Sequence, residues 1–218
     1  MKAIVLGSTR GIGKAIAESL KGLANDLVLC GRKDIDTADL ASVKQFIKKH
    51  PKTDILILNT GGPAAMEFNE ITEEDWLKYF NQLFLSFVLL LKGIKVNDGG
   101  YVFLISSYVI KEPERKLIAS SSLRLGFSSV FKSVSKLNME RNVSYINIAP
   151  GPTKTDRLIS LLKNSGQTIE EWAKTLPTKR ISEPREIGDF VRCIVEKRIK
   201  ALNGVTINFD MGLSNYVL

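Results

Sequence analysis

One histidine, two cysteines and no apolar run of membrane-spanning length set the first limits on this 218-residue chain. With His50 alone, at the end of a helical pattern before Pro51, a serine–histidine hydrolase has no base in reach. Nor do cysteines and carboxylates cluster at ligand spacing, so no metal centre is expected. A positive charge on His50 would suit the dipole of the helix it ends. Cys30 closes a predicted strand and Cys193 falls in a late helix, so a bridge is not expected and a reducing cytoplasm fits. The most apolar stretch, Phe84–Leu91, is far short of the ~18–20 residues of a spanning helix; it reads as a buried helix or an oligomer face. The start does not resemble a secretory leader, because strand, turn and helix follow at once.

A formal charge of +8 raises the question of nucleic acid. The lysines, however, are spread along helical patterns, and no basic run is interleaved with aromatics, so a solvated surface with a local anion pocket is expected instead. The length fits one domain with one substantial core.

Six short, nearly unbroken apolar runs read as buried parallel strands: Ala3–Leu6, Asp26–Cys30, Asp54–Asn59, Tyr101–Ser106, Ser144–Ala149 and Val205–Phe209. A seventh, short and polar, is expected near Asp34–Thr37. Helical patterns fall between them at Gly13–Gly22, Leu40–His50, Glu73–Ile94, Ser121–Met139 and Pro184–Lys197. This alternation predicts a single α/β domain of Rossmann type, a doubly wound parallel sheet with helices on both faces. Its ligand would lie at the carboxyl ends of the strands, where strand order reverses.

Lys2 to Gly13, KAIVLGSTRGIG, is the most informative stretch. An apolar strand runs into a turn carrying Gly7, Gly11 and Gly13, and the turn opens an alanine-rich helix. Strand, glycine turn and helix together make a cradle for a dinucleotide pyrophosphate. Selection of NAD needs a carboxylate at the tip of the second strand. Here that tip reads Leu29-Cys30-Gly31-Arg32-Lys33, and Arg10 sits inside the glycine turn. Two guanidinium groups suit a 2′-phosphate, so NADP(H) is the expected cofactor.

From end to end the chain resembles a short-chain dehydrogenase/reductase. GSTRGIG resembles the family's glycine loop, which implies cofactor contacts from Gly7, Ser8, Thr9, Arg10, Gly11, Ile12 and Gly13. Asp39-Leu40 resembles the pair bracketing adenine, and LNTGGP, with Asn59, Thr60 and Gly61, stands where the family's Asn-Ala-Gly strand end lies. IAPGPTKTDR is similar to the Pro-Gly segment beside the nicotinamide, implying Pro150, Gly151, Thr153 and Thr155. PREIGDFV and NGVTINFDMG match the last helix and strand. Too few residues separate Arg32 from Asp39 for the family's usual helix, so the adenine side is expected to be shortened.

The resemblance also implies a catalytic serine, matched by Ser107, and a Tyr-x-x-x-Lys pair whose slots here hold Ser120 and Arg124. The family's helix asparagine, counted from Trp76, falls at Leu83, and Asn81 should face another way. A serine hydroxyl is a far weaker acid than a phenol of pKa about 10. Three readings follow: Ser107, Ser120 and Arg124 orient carbonyl and water in an active reductase; Tyr108 or a neighbour has become the acid; or the chain binds NADP(H) without turnover. SSSLR with NTGGP is similar to a less typical branch of the family described as like 3-oxoacyl-carrier-protein reductases. A small-molecule carbonyl or alcohol substrate is then implied, with no nucleic acid or membrane partner. Residues 156–180 fall where the family places a substrate lid, with Leu158, Leu161, Leu162 and Trp172 able to close an apolar pocket or to pack on the core. Phe80–Leu91 and Leu125–Val134 lie on the helices that pair subunits in the family, which implies a homodimer or homotetramer.

Overall fold

A computed structural model describes residues 1–137, 139–164 and 166–215, with 161, 163 and 164 described by backbone only. Six strands, β1 (Lys2–Leu6), β2 (Asp26–Cys30), β3 (Lys52–Leu58), β4 (Lys95–Ile105), β5 (Ser144–Pro150) and β6 (Val205–Phe209), form one parallel sheet in the order β2-β1-β3-β4-β5-β6. Alternate residues of each strand face opposite sides, as period-2 geometry requires. Ala3, Val5, Ile55, Ile57, Phe103 and Ile146 pack under α1 (Gly11–Ser19) and α8 (Pro184–Glu196). Ile4, Leu6, Leu56, Leu58, Val102 and Leu104 pack on the other face with α2 (Leu40–Lys49), α4 (Ser86–Gly93) and α5 (Ile118–Leu137). Burial on both faces explains why the inner strands β1, β3, β4 and β5 read as continuous apolar runs.

The direction of strand addition reverses at β1, which lies between β2 and β3. The Gly7–Gly13 turn leaves β1 there and Asn59 follows β3, so the crevice expected of a doubly wound sheet opens between these two segments.

Three expectations fail. Residues 34–37 form no strand: Asp34 and Ile35 both donate their backbone N–H to the Gly31 carbonyl, and Asp36 accepts from Ala38 N, so the segment curls as turns. Thr37 Oγ1 then meets Thr60 Oγ1 at 3.0 Å, tying this short connection to the end of β3. The helix expected over Glu73–Ile94 is broken into α3 (Glu73–Phe80), a π-helical turn at Asn81–Leu85 and α4. His50 also differs from expectation. Its pKa is lowered by partial burial and then by Lys2 and Lys49, and its ring packs 4.7 Å from Phe46, so it is neutral at pH 7 and does not complement the helix dipole. Between β5 and α8 the chain forms α6 (Asp156–Asn164) and α7 (Ile169–Thr175).

Candidate active site

The glycine turn is held by packing that excludes side chains. A methyl on Gly13 would lie 2.1 Å from the Gly7 carbonyl oxygen, so α1 approaches the strand end as closely as backbone allows. Gly7 has φ +62 and a side chain there would strike Asn59, whose Nδ2 donates to Leu6 O at 3.2 Å. Ser8 is buried and its N–H is taken by Cys30 O, while Thr9 and Arg10 are exposed and Ile12 is half-buried. Helices α2, α3 and α7 are capped by Asp39, Thr72 and Thr168. The first turn of α1 has neither a side-chain cap nor an acid, which leaves its N–H groups and positive dipole end for an anion. These features fit a bound pyrophosphate.

Asp39 Oδ1 accepts from Ala41 N at 2.8 Å, so that carboxylate serves first as the α2 cap, with Leu40 half-buried behind it. The acid nearest the β2 tip, Asp34, accepts from Gly31 N at 2.8 Å. Burial, with Asp34 second, pushes the Cys30 thiol up to about 12, which makes it inert. Arg32 is exposed and leans on Asp36 at 3.5 Å, whereas the charge of Arg10 is felt at Arg157. The two arginines thus have different neighbours.

On the other side of the crevice, Pro150 and Gly151 end β5 against β6, and a side chain on Gly151 would lie 2.7 Å from Asp210 Cβ. Thr153 Oγ1 reaches Gly151 O and Ser182 Oγ, which pins this loop to the base of α8. Thr155 Cγ2 faces Gly11 across 3.2 Å, measured to where a Gly11 side chain would start, so the β5 loop and the glycine turn nearly touch.

Arg124 ties α5 to the ends of β3 and β4. It is only 8% exposed, on α5. Its Nε donates to Ser120 Oγ at 3.3 Å, Nη1 to Ile105 O at 3.1 Å and Nη2 to Thr60 O at 3.4 Å. One guanidinium therefore joins Ser120 to the ends of β3 and β4, two residues before Ser107. Burial, then the nearby Arg157, pulls its pKa down to about 10, so it remains a cation at neutral pH. Ser107 Oγ accepts from Val109 N at 3.5 Å and keeps its own proton to donate. Tyr108 is half-buried in the helical turn that follows. Gly61 is exposed, with no atom near the place of its missing side chain.

Two groups were not anticipated. The π turn buries Gln82 beside Leu83 and aims its Nε2 at Gly61 O, 2.7 Å away. A straight-helix count cannot find this, because the wide turn shifts every later side chain. Arg157, at the start of α6, donates to Gly62 O at 2.7 Å and to Pro63 O. The TKTDR run contained it, but nothing in the spacing announced its reach. In the segment expected as a lid, Leu162 is buried, Leu158 and Trp172 are half-buried, and the side chain of Leu161 lies outside the described residues. No helix among the described residues is long and apolar enough to cross a membrane, and none of them form a cluster of metal ligands.

The family model for enoyl-(acyl carrier protein) reductase matches residues 35–214. The chain belongs to the short-chain dehydrogenase/reductase family. Its relatives include a 3-oxoacyl-[acyl-carrier-protein] reductase, FabG, of Chlamydia pneumoniae, 24% identical over 93% of this chain and 82% of that protein. The NADPH-dependent reductase BacG of Bacillus subtilis is 25% identical, over 96% of each chain. A short-chain dehydrogenase family protein from Francisella tularensis superposes with a TM-score of 0.84 at 20% identity, covering 97% of this chain and 98% of that one, and so shares the fold. This family membership makes the chain an oxidoreductase with a nicotinamide cofactor and a small-molecule substrate.

Proposed function

We propose that the protein is an NADP(H)-dependent carbonyl reductase that works without the family's tyrosine and lysine. The NADP preference is supported by Arg10 and Arg32, by a β2 tip whose nearest acid, Asp34, accepts from Gly31 N, and by an NADPH-dependent relative. When bound, the cofactor would supply the hydride for the carbonyl carbon. Gly7, Gly11 and Gly13 with the first turn of α1 would hold its pyrophosphate, and Asn59 to Gly61 with Pro150 to Thr155 would flank the nicotinamide half.

The chain's own part in the reaction is to hold the carbonyl oxygen and to return a proton to it. Ser120 accepts from Arg124 Nε, which orients its O–H away from the guanidinium and toward an incoming oxygen. Ser107 and the unspent N–H groups of Arg124 supply further donors, and together they stabilise the developing alkoxide. The proton then comes from solvent through a serine hydroxyl. The Arg124–Ser120 contact is the observation that carries this reading, because it sets a fixed cation behind the hydroxyl in the tyrosine slot. One fact favours a second reading, binding without turnover: Ser107 and Ser120 are both aliphatic alcohols and weak acids.

Initial rates of NADPH oxidation over a panel of ketones and 3-oxoacyl thioesters, run beside cofactor fluorescence titrations, separate the two. The reductase reading expects turnover that falls about 10²–10³-fold in Arg124→Ala. Tight NADPH binding with no turnover on any substrate supports the second. The exposed Leu77, Phe80 and Leu125 and the stacked Phe80–Phe84 pair support a homodimer or homotetramer through α3, α4 and α5. Two free cysteines, one of them exposed, support a reducing cytoplasm.

A further inference from the structure

Two guanidinium groups meet at Gly62. A side-chain carbon on that glycine would lie 3.0 Å from Arg157 Nη1 and 3.4 Å from Arg124 Nη2, so only the lack of a side chain keeps the space between them open. Among the described residues, every acceptor of the two arginines is neutral: the Ser120 hydroxyl and the carbonyls of Ile105, Thr60, Gly62 and Pro63. Neither arginine has a carboxylate at ion-pair distance among the described residues. Each guanidinium has five N–H donors, so donors remain unspent on both. Two cations this close, one of them buried, repel each other more strongly than in water, and a shared anion removes that cost. Arginine forks match a carboxylate through paired N–H donors. Arg157 also opens the segment that carries Leu158, Leu162 and Trp172.

We propose that Arg124 and Arg157 form a carboxylate clamp over Gly62, and that the substrate is a 2-oxo or 3-oxo acid. Arg124 belongs both to the clamp and to the group holding the carbonyl oxygen, which sets carboxylate and carbonyl one or two carbons apart. The substrate class rests on the reductase reading above, but the clamp itself can be tested by binding alone.

The test titrates the NADP⁺-loaded protein by calorimetry with 2-oxooctanoate, 3-oxooctanoate, their methyl esters and inorganic phosphate, and measures rates on the same compounds with NADPH. At least one acid should bind tenfold or more tighter than its ester. That ratio should fall toward one in Arg157→Gln and recover in part in Arg157→Lys. Turnover of the esters with no preference for the acids overturns the clamp and leaves the reductase reading intact. A preference for acids without hydride transfer keeps the clamp and removes the reductase reading. Equal affinities, no binding, phosphate as tight as the acids, or a preference that survives in Arg157→Gln each overturn the proposal. The wild-type ratio of acid to ester affinity decides even where the variants fold poorly.

Discussion

At Gly13 a single hydrogen atom fixes how closely helix and strand can approach. An added methyl would sit 2.1 Å from Gly7 O and 2.6 Å from Asn59 Nδ2, and neither can retreat without moving β1 or β3. Gly13→Ala should therefore cost about 1–3 kcal/mol, the usual range for overpacking a rigid site, read from the urea midpoint. The glycines were legible in the sequence because backbone approach to a phosphate admits no other residue. Arg124 was legible only by its place four residues after Ser120. That it spans from α5 to the ends of β3 and β4 is a tertiary fact. His50 shows the reverse error: its position at a helix end argued for charge, while Lys2, from a different element, helps to keep it neutral.

Elements were read well where one period ran unbroken. All six strands lie where continuous apolar runs placed them, though β4 begins earlier, at Lys95, through the turn-prone Asn97–Gly100 stretch. The π turn at Asn81–Leu85 was invisible because its residues suit an α-helix equally well. Its effect is to bury Gln82 and hold Gly61 O, and with it the floor of the crevice after β3. Gln82→Leu should cost about 1 kcal/mol for the lost bond. It should also raise the KM for cofactor or substrate more than it lowers kcat, as steady-state kinetics on the same preparation can show. Unchanged KM values would mean that the π turn serves packing alone. Residues 34–37 failed as a strand for a different reason: their backbone groups close local turns, and only the Thr37–Thr60 contact joins them to the sheet end.

In the whole molecule, a sheet covered on both faces brings distant loops to one crevice, so residues from 7 to 157 share a site. The connection between β2 and α2 is short, while the glycine turn between β1 and α1 is kept. A homo-oligomer through α3, α4 and α5 predicts a mass of at least twice 24.2 kDa by size exclusion with light scattering, reduced to one subunit in Phe80→Asp with Leu125→Asp. A monomeric wild type would refute that interface.

The cofactor decides the rest, because the proposed chemistry assumes which dinucleotide occupies the crevice. Calorimetric titration of the wild-type protein with NADPH and with NADH measures this directly. NADPH should bind about ten- to a hundredfold tighter, the worth of one or two charge-assisted bonds to a phosphate, and Arg32→Ala should remove most of the difference. Equal affinity for the two, a preference for NADH, or no binding of either would contradict the account.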